Sequence, residues 1–199
     1  MAFIVIATGN AHKVKEYREL IKDDRVELKS LLDYPGFPGV EENGKTFREN
    51  ASIKALAACK YCDVPAFADD SGLEVEALHG EPGIYSSRYA PSDAERIAKL
   101  LKNMEGVTDR RARFVCAIAI AVNGEVIETF EGEIKGTIGF EPKGANGFGY
   151  DPVFIPEGGT RTFAELSEEE KNKISHRANA FKKASEFVEE EMSVLDNDF

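Results

Sequence analysis

The chain opens with an apolar run that is followed by a helical pattern. Residues 3–8 (FIVIAT) are almost entirely apolar and end at Gly9-Asn10, a dipeptide typical of turns. The next apolar residues recur at spacings of three and four, as they do on one face of a helix: Val14, Tyr17, Leu20 and Ile21. We therefore predict a buried strand, a tight turn and a helix, with a second strand near residues 26–32.

Two further helix starts are marked by capping residues. Thr46 and Glu49 have the spacing of a capping box, and an alanine-rich segment follows to about Tyr61. Ser92 and Glu95 repeat this spacing ahead of a segment with one apolar face: Ala94, Ile97, Ala98, Leu101 and Met104. Between the two helices, the apolar run at 64–68 (VPAFA) predicts a strand that ends at Asp69-Asp70.

The second half of the chain predicts a long antiparallel ribbon and a final helix. Segments 113–122 and 125–136 flank Asn123-Gly124, the strongest short hairpin signal. A hairpin beside a β–turn–α opening predicts an α/β fold with a mixed sheet. Residues at helical spacing, apolar except for Ser185, predict the buried stripe of the last helix: Ile174, Ala178, Phe181, Ser185, Val188 and Met192.

Composition narrows the class of protein. A chain of 199 residues with 42% hydrophobic content can form one domain spanning 1–199 with a real core. Its net charge of −11 argues against binding long nucleic acid, which requires clustered Lys and Arg. No apolar stretch approaches the ~20 residues of a membrane helix, and the first residues lack a basic leader, so we expect no membrane association and a cytoplasmic location.

Two short motifs have ordinary structural explanations. Residues 39–46 (GVEENGKT) match the Walker A pattern, but a Pro/Gly loop precedes them and two glutamates would face the phosphates. Cys59 and Cys62 have C-x-x-C spacing, yet they fall at the end of a predicted helix and no second cysteine pair exists. We interpret the first motif as a loop with a helix cap and the second as two helix-face thiols.

Polar residues at the ends of the first and third strands suit a phosphate and a metal ion. Thr8, Gly9 and Asn10 lie where the first strand turns into the first helix, so backbone N–H groups and Lys13 can meet an anion there. Adjacent carboxylates at 69–70, with those at 41–42 in a nearby loop, suit Mg²⁺ that bridges to phosphates. A surface turn and strand-end capping are the alternatives for these two segments.

Two C-terminal segments could contact a base. Residues 148–151 (FGYD) combine an aromatic platform with a close-approach glycine. His176 and Arg177 open the last helix off its predicted apolar stripe, with Lys171 just before them. Cations at a helix N-terminus are disfavoured by the helix dipole, which points to an anionic or carbonyl-bearing partner, with solvated charge as the alternative.

The order of these motifs is specific. From residue 8 to residue 177 the chain reads TGNxxK, EE-G-TF-ENA, ADDSGL, PGIYS-RYA, FGYDP and EEK–SHR. In this order it closely resembles the inosine/xanthosine triphosphate pyrophosphatases. That resemblance implies an elongated fold with a long central mixed sheet flanked by helices, a substrate cleft between two lobes, a homodimer, and Mg²⁺-dependent hydrolysis of ITP, dITP and XTP to the monophosphate and pyrophosphate.

The resemblance also implies roles for individual residues. Glu41 and Asp70 match the family's metal ligands, and Asp70 matches its proposed catalytic base. The substrate-binding positions implied are Thr8, Gly9, Asn10, Lys13, Ser71, Phe148, Gly149, Tyr150, Asp151, Lys171, His176 and Arg177. A pyrophosphatase for other modified nucleotides and a non-catalytic sensor of purine nucleotides are the alternative functions.

Overall fold

A computed structural model describes residues 2–21 and 26–197 of the chain. Its centre is a six-stranded sheet with the order β2-β1-β3-β4-β5-β6. The strands are β1 Ala2–Ile6, β2 Val26–Ser30, β3 Ala66–Val75, β4 Arg111–Val122, β5 Glu125–Ile138 and β6 Phe154–Pro156. The helices are α1 Ala11–Leu20, α2 Phe47–Cys62, α3 Asp93–Asn103, α4 Glu168–Asn172 and α5 His176–Asn197.

The sheet is mixed, as the sequence predicts. β1 runs parallel to β2 and β3, whereas β3, β4, β5 and β6 pair antiparallel. Asn123 and Gly124 join β4 to β5 with φ values of 52° and 77°, the positive values that a tight two-residue hairpin needs. The mixed α/β fold flanked by helices is therefore confirmed, and the division into two lobes stays a prediction.

β3 does not end at the paired carboxylates, so this part of the prediction is wrong. The strand continues to Val75, and every residue from Ala66 onward pairs with β4. Asp69 and Asp70 thus lie in its middle, opposite Ile118 and Ala117. Because successive side chains of a strand point to opposite faces, the two carboxylates belong to different sides of the sheet.

Helix α2 covers one face of the sheet. Thr46 caps its first turn by accepting a hydrogen bond from the Glu49 N–H, while the Glu49 carboxylate accepts from the Lys45 N–H instead of completing a capping box. Small side chains let the helix approach closely, and the buried layer consists mainly of alanines: Ala51, Ala55, Ala58, Ala66, Ala68, Ala117 and Ala119. Asp70 shares this face.

Helices α1 and α5 cover the opposite face, which Asp69 shares. Tyr17 of α1 and Ala180 and Ala184 of α5 pack there against β3 and β4. Phe181 of the predicted α5 stripe packs against this core, but the rest of the stripe is displaced: Ile174 precedes the helix and is 38% exposed, while Arg177 is 1% exposed. The Met192 side chain lies outside the described residues. His176 and Arg177 therefore face the protein interior and not solvent.

A third core lies at the far end of β3–β5, under α3. Ser92 and Glu95 form the predicted capping box, and Ile97, Leu100 and Met104 supply the buried side of the helix. Ala94 and Ala98 are exposed, so the predicted apolar face is displaced around the helix. Among the described residues, no helix is long and apolar enough to cross a membrane.

Candidate active site

A cleft of about 740 Å³ opens beside β3. Its wall is built from the β1–α1 turn, the loop before α2, the middle of β3, the 148–151 segment and the start of α5. It gathers every predicted site residue except Glu41: Thr8, Gly9, Asn10, Lys13, Asp70, Ser71, Phe148, Gly149, Tyr150, Asp151, Lys171, His176 and Arg177. Glu41 is exposed and is not among the described residues that line the cleft.

The turn before α1 is fixed by local polar contacts. Asn10 caps the helix, and its Oδ1 accepts hydrogen bonds from the N–H groups of His12 and Lys13 at 3.0 and 3.4 Å. Thr8 Oγ1 accepts from the Asn10 N–H at 3.1 Å. The helix N-terminus and the Lys13 ammonium therefore meet at one end of the cleft, where they suit an anion.

Asp69 is a fully buried counter-ion. It accepts hydrogen bonds from Lys13 Nζ at 3.0 Å and from Arg177 Nε and Nη2 at 3.2 and 3.1 Å. Burial would raise the pKa of Asp69, but the charges of Lys13 and Arg177 outweigh burial and hold the pKa well below its ordinary value. Asp69 is thus a permanent carboxylate that positions two cleft cations.

Asp70 lies on the other side of the sheet with a different cation. Its Oδ1 is 3.1 Å from Lys54 Nζ, and its Oδ2 accepts a hydrogen bond from Asn50 Nδ2 at 3.3 Å. Lys54 Nζ also lies 3.0 Å from Glu42 Oε2, so the ammonium bridges two carboxylates. Burial raises the pKa of Asp70 despite the Lys54 charge, which suits a group that accepts a proton.

A second buried ion pair lies in the cleft wall beside Phe148. Lys171 Nζ donates hydrogen bonds to Asp151 at 2.6 Å and to Glu16 at 2.8 Å. The same ammonium lies 5.0 Å from the centroid of the Phe148 ring, which stacks on His12 at 5.1 Å. Lys171 therefore presents its remaining N–H beside an aromatic platform, an arrangement that suits a flat, carbonyl-bearing ligand.

Arg177 links the two groups of ion pairs. Its Nη1 donates to Glu16, while Nη2 donates to Ser71 Oγ at 2.9 Å as well as to Asp69. Burial would raise the pKa of Glu16, but Arg177 and Lys171 lower it. A continuous chain of buried charges thus runs from Lys13 through Asp69, Arg177 and Glu16 to Lys171.

His176 is buried and neutral. Its ring stacks on Phe114 at 4.7 Å, and Nδ1 has no hydrogen-bond partner among the described residues. Burial, together with the charges of Arg177 and Lys171, holds the pKa of His176 well below its ordinary value. A neutral imidazole offers one N–H donor and one acceptor to whatever enters the cleft.

The buried His176 predicts a pH-dependent stability. The folded protein keeps this imidazole neutral, whereas the unfolded chain binds a proton below about pH 6.5. The free energy of unfolding should therefore fall by up to about 1.4 kcal/mol per pH unit below that value because of this group. Urea unfolding of the parent and of His176→Gln at pH 7.0 and 5.5 checks this, and equal losses in both proteins would contradict it.

The sequence matches the model of the Ham1 family over residues 4–187. The chain belongs to the Ham1 family. The dITP/XTP pyrophosphatase of Bacillus licheniformis is 49% identical over 195 residues, which cover 96% of this chain and 100% of that protein. The dITP/XTP pyrophosphatase of Geobacillus kaustophilus is 52% identical over 196 residues, with 96% of each chain covered. A solved HAM1 protein from Coxiella burnetii has a TM-score of 0.86 at 43% identity and covers 96% of this chain and 100% of its own.

Several residues that line the cleft of this Ham1 chain or hold its side chains in place were not identified from the sequence. Glu16, Asn50 and Lys54 lie inside ordinary amphipathic helices, where a lysine or glutamate normally faces solvent. Asp93 accepts a hydrogen bond from the Gly149 N–H at 2.7 Å and so anchors the 148–151 loop. Asn50 and Lys54 share a signal that could have found them: both lie on the alanine-rich, buried side of α2.

The 148–151 loop depends on a glycine just before it. Gly147 has a φ of +73°, and a Cβ there would lie 2.0 Å from Asp151 Oδ2. Gly147→Ala should displace Asp151 and Lys171 and raise the KM for ITP by roughly tenfold or more, because small misplacements of binding groups are costly. Gly158→Ala is the control, since its φ is +77° but nothing lies within 4 Å. Equal KM values for the two variants would contradict the prediction.

The Walker-like segment is not a P-loop in this Ham1 chain. A 3₁₀ turn, Leu31–Asp33, and a loop separate β2 from Gly39, and Thr46 is committed to capping α2. Cys59 is buried and Cys62 half-buried, and both are free thiols on α2, as predicted.

Lys45 tests the P-loop alternative. Its side chain is exposed and lies outside the cleft lining among the described residues. Lys45→Ala should change kcat/KM for ITP by no more than about twofold, as expected for a surface substitution. Steady-state kinetics check this, and a loss of a hundredfold would restore the P-loop interpretation.

Proposed function

We propose that this protein hydrolyses dITP, XTP and ITP to the nucleoside monophosphate and pyrophosphate. The observation that carries the proposal is a single cleft that is lined by a helix-N-terminal turn with Lys13, by the Asp70 carboxylate with Lys54, and by Phe148 with Lys171. Its Ham1 relatives named dITP/XTP pyrophosphatase, about half identical over nearly the whole chain, support the same activity.

Mg²⁺ is part of the proposal, and the donor set agrees with it. Among the described residues, no three His, Cys, Asp or Glu side chains form a group that could hold a metal ion alone. Asp70 and Glu42 flank the Lys54 ammonium, so their carboxylate oxygens already surround a cation. Mg²⁺ is commonly held by one or two carboxylates together with substrate phosphates, which this pair fits. Glu41, the other proposed ligand, stays a prediction.

The residues that would surround the phosphates have different roles in the reaction. When bound, Mg²⁺ would neutralise phosphate charge and lower the barrier to attack on phosphorus. Asp70 accepts the proton of the attacking water, since its carboxylate lines the cleft and Asn50 and Lys54 hold it in place. Lys13 and the start of α1 hold the phosphates of the pyrophosphate leaving group, and Asp69 holds Lys13 in place.

The base end reads the oxygen at C6 of the purine. Lys171 has three N–H donors, two of which bind Asp151 and Glu16. The third and the His176 N–H can satisfy the C6 oxygen of hypoxanthine or xanthine. Adenine carries an amino donor at that position, so ATP would leave these donors unpaired.

We further propose that residues 1–199 act as one domain, that the protein is a homodimer, and that it works in the cytoplasm. The homodimer extends the resemblance to the inosine/xanthosine triphosphate pyrophosphatases, whereas the single domain and the cytoplasmic location extend the expectations from length and composition. The single domain is supported by one continuous sheet that contains all six strands of the described residues.

A panel of nucleotides tests the proposed activity. The parent protein should hydrolyse ITP, dITP and XTP with kcat/KM about a hundredfold above that for ATP, roughly tenfold for each of two unpaired donors. Lys171→Met should reduce that ratio, whereas Lys143→Met, outside the cleft lining, is the control. A preference for ATP or for a modified pyrimidine would contradict the proposal.

A further inference from the structure

Lys54 lies where a divalent cation would have to contact Asp70 and Glu42. Its Nζ is 3.1 Å from Asp70 Oδ1 and 3.0 Å from Glu42 Oε2. The Lys54 side chain is only 14% exposed, so the ammonium belongs to the cleft wall. Asn50, one helical turn earlier, holds the second oxygen of Asp70 and orients the carboxylate toward Lys54.

One cation at a time can occupy this position. An ammonium nitrogen about 3 Å from both carboxylates fills the space from which Mg²⁺ would contact them at about 2.1 Å. Lys54 also reduces the formal charge of the Asp70–Glu42 pair from −2 to −1. The affinity of oxygen ligands for a divalent cation depends on their charge. Lys54 therefore opposes metal binding in two ways: it occupies the position of the metal, and it reduces the negative charge of the ligands.

A bound triphosphate would change the partners of Lys54. Phosphate oxygens are strong acceptors for a lysine ammonium, and Lys54 shares the cleft with Lys13 and Asn10. Lys54 can therefore exchange its carboxylate partners for phosphate oxygens and leave Asp70 and Glu42 free.

We infer that Lys54 blocks the metal position of the nucleotide-free protein and vacates it when a triphosphate binds, so that nucleotide and metal are taken up together. The inference rests on the proposed function and specifies how its metal site is regulated. It assigns Lys54 a positioning role toward Asp70 and Glu42 in addition to any contact with the phosphates.

Metal binding without nucleotide tests this inference. Mn²⁺ serves as the probe, and the electron paramagnetic resonance signal of free Mn²⁺ gives the dissociation constant of the nucleotide-free protein. Lys54→Met keeps an unbranched apolar side chain but is one atom shorter and lacks the ammonium, and it should bind Mn²⁺ at least about tenfold more tightly than the parent. Lys54→Arg keeps the charge and should remain as weak as the parent.

Two controls assign the effect to this position. Arg96→Met removes another cation from the cleft wall, one that pairs with Asp93 and not with Asp70. It should leave the Mn²⁺ affinity within about twofold of the parent, because the lost charge does not touch the carboxylate pair. Adding Asp70→Asn to Lys54→Met should abolish the gained affinity.

Three results would overturn the inference: equal Mn²⁺ affinity of Lys54→Met and the parent, an equal gain from Arg96→Met, or a gain that survives Asp70→Asn. Circular dichroism checks that each variant is folded, and Lys54→Gln carries the same test if Lys54→Met is not. The Mn²⁺ titration contains no nucleotide, so it does not depend on ITP hydrolysis. A negative Mn²⁺ result would overturn the role of Lys54 and not the proposed hydrolysis. Absence of hydrolysis would overturn the proposed function, and the Mn²⁺ affinities could still be interpreted.

Discussion

Asp70→Asn is expected to lower kcat for ITP hydrolysis by about 10²- to 10⁴-fold, the usual effect of removing a general base. The amide keeps the shape of the side chain and its place opposite Ala117 in the sheet, so the fold should survive. The variant loses the proton acceptor, and it also loses one of the two carboxylates beside Lys54. Single-turnover kinetics with saturating ITP and Mg²⁺ measure the chemical step directly.

A surface aspartate provides the control for this variant. Asp109 is paired with Arg111 in an exposed ion pair, so Asp109→Asn removes the same charge away from the cleft. Its kcat should stay within about twofold of the parent. An Asp70→Asn protein that turns over ITP as fast as the parent would remove Asp70 from the mechanism and favour a different base.

Arg177→Met is expected to reduce the free energy of unfolding by about 3–5 kcal/mol, as breaking a buried ion pair does. Arg177 is 1% exposed and is the shared partner of Asp69 and Glu16. Its loss leaves Asp69, whose side chain is fully buried, with Lys13 as its remaining cation. Urea denaturation at pH 7 measures the change.

Arg113→Met is the matched control for the buried arginine. Arg113 also pairs with two carboxylates, Glu74 and Glu133, but its side chain is 43% exposed. Solvent screens such pairs, so the loss should stay below about 1 kcal/mol. Equal losses for the two variants would mean that the buried charge chain contributes no more than a surface network.

Local sequence signals predicted the parts of the fold that local interactions determine. The Gly9-Asn10 turn, the Ser92 cap and the Asn123-Gly124 hairpin are each specified within a few residues, and the structure confirms all three. The positions implied by the family resemblance, apart from Glu41, line one cleft of the structure.

Contacts between residues far apart in the sequence determine the features that were not predicted. β3 continues past Asp70 because β4, more than forty residues later, pairs with its whole length. Arg177 occupies the buried side of α5 because carboxylates from α1 and β3 neutralise it there. In isolation, such an arginine is indistinguishable from a solvated charge on a helix surface.

The paired carboxylates at 69–70 are another case in which the local sequence did not predict the spatial partners. Their adjacency suggested one metal site, whereas the strand directs them to opposite faces with separate cations. Asp69 positions Lys13 and Arg177, and Asp70 faces Lys54 and Glu42. Glu42 is the loop carboxylate that shares the Lys54 ammonium with Asp70, and Glu41 as a metal ligand stays a prediction.

Identification of the products of ITP hydrolysis tests the central claim most directly. ³¹P nuclear magnetic resonance of a reaction containing the protein, ITP and Mg²⁺ separates pyrophosphate from orthophosphate and inosine monophosphate from the diphosphate. We expect inosine monophosphate and pyrophosphate in equal amounts, with no diphosphate intermediate. Accumulation of inosine diphosphate and orthophosphate would contradict the account.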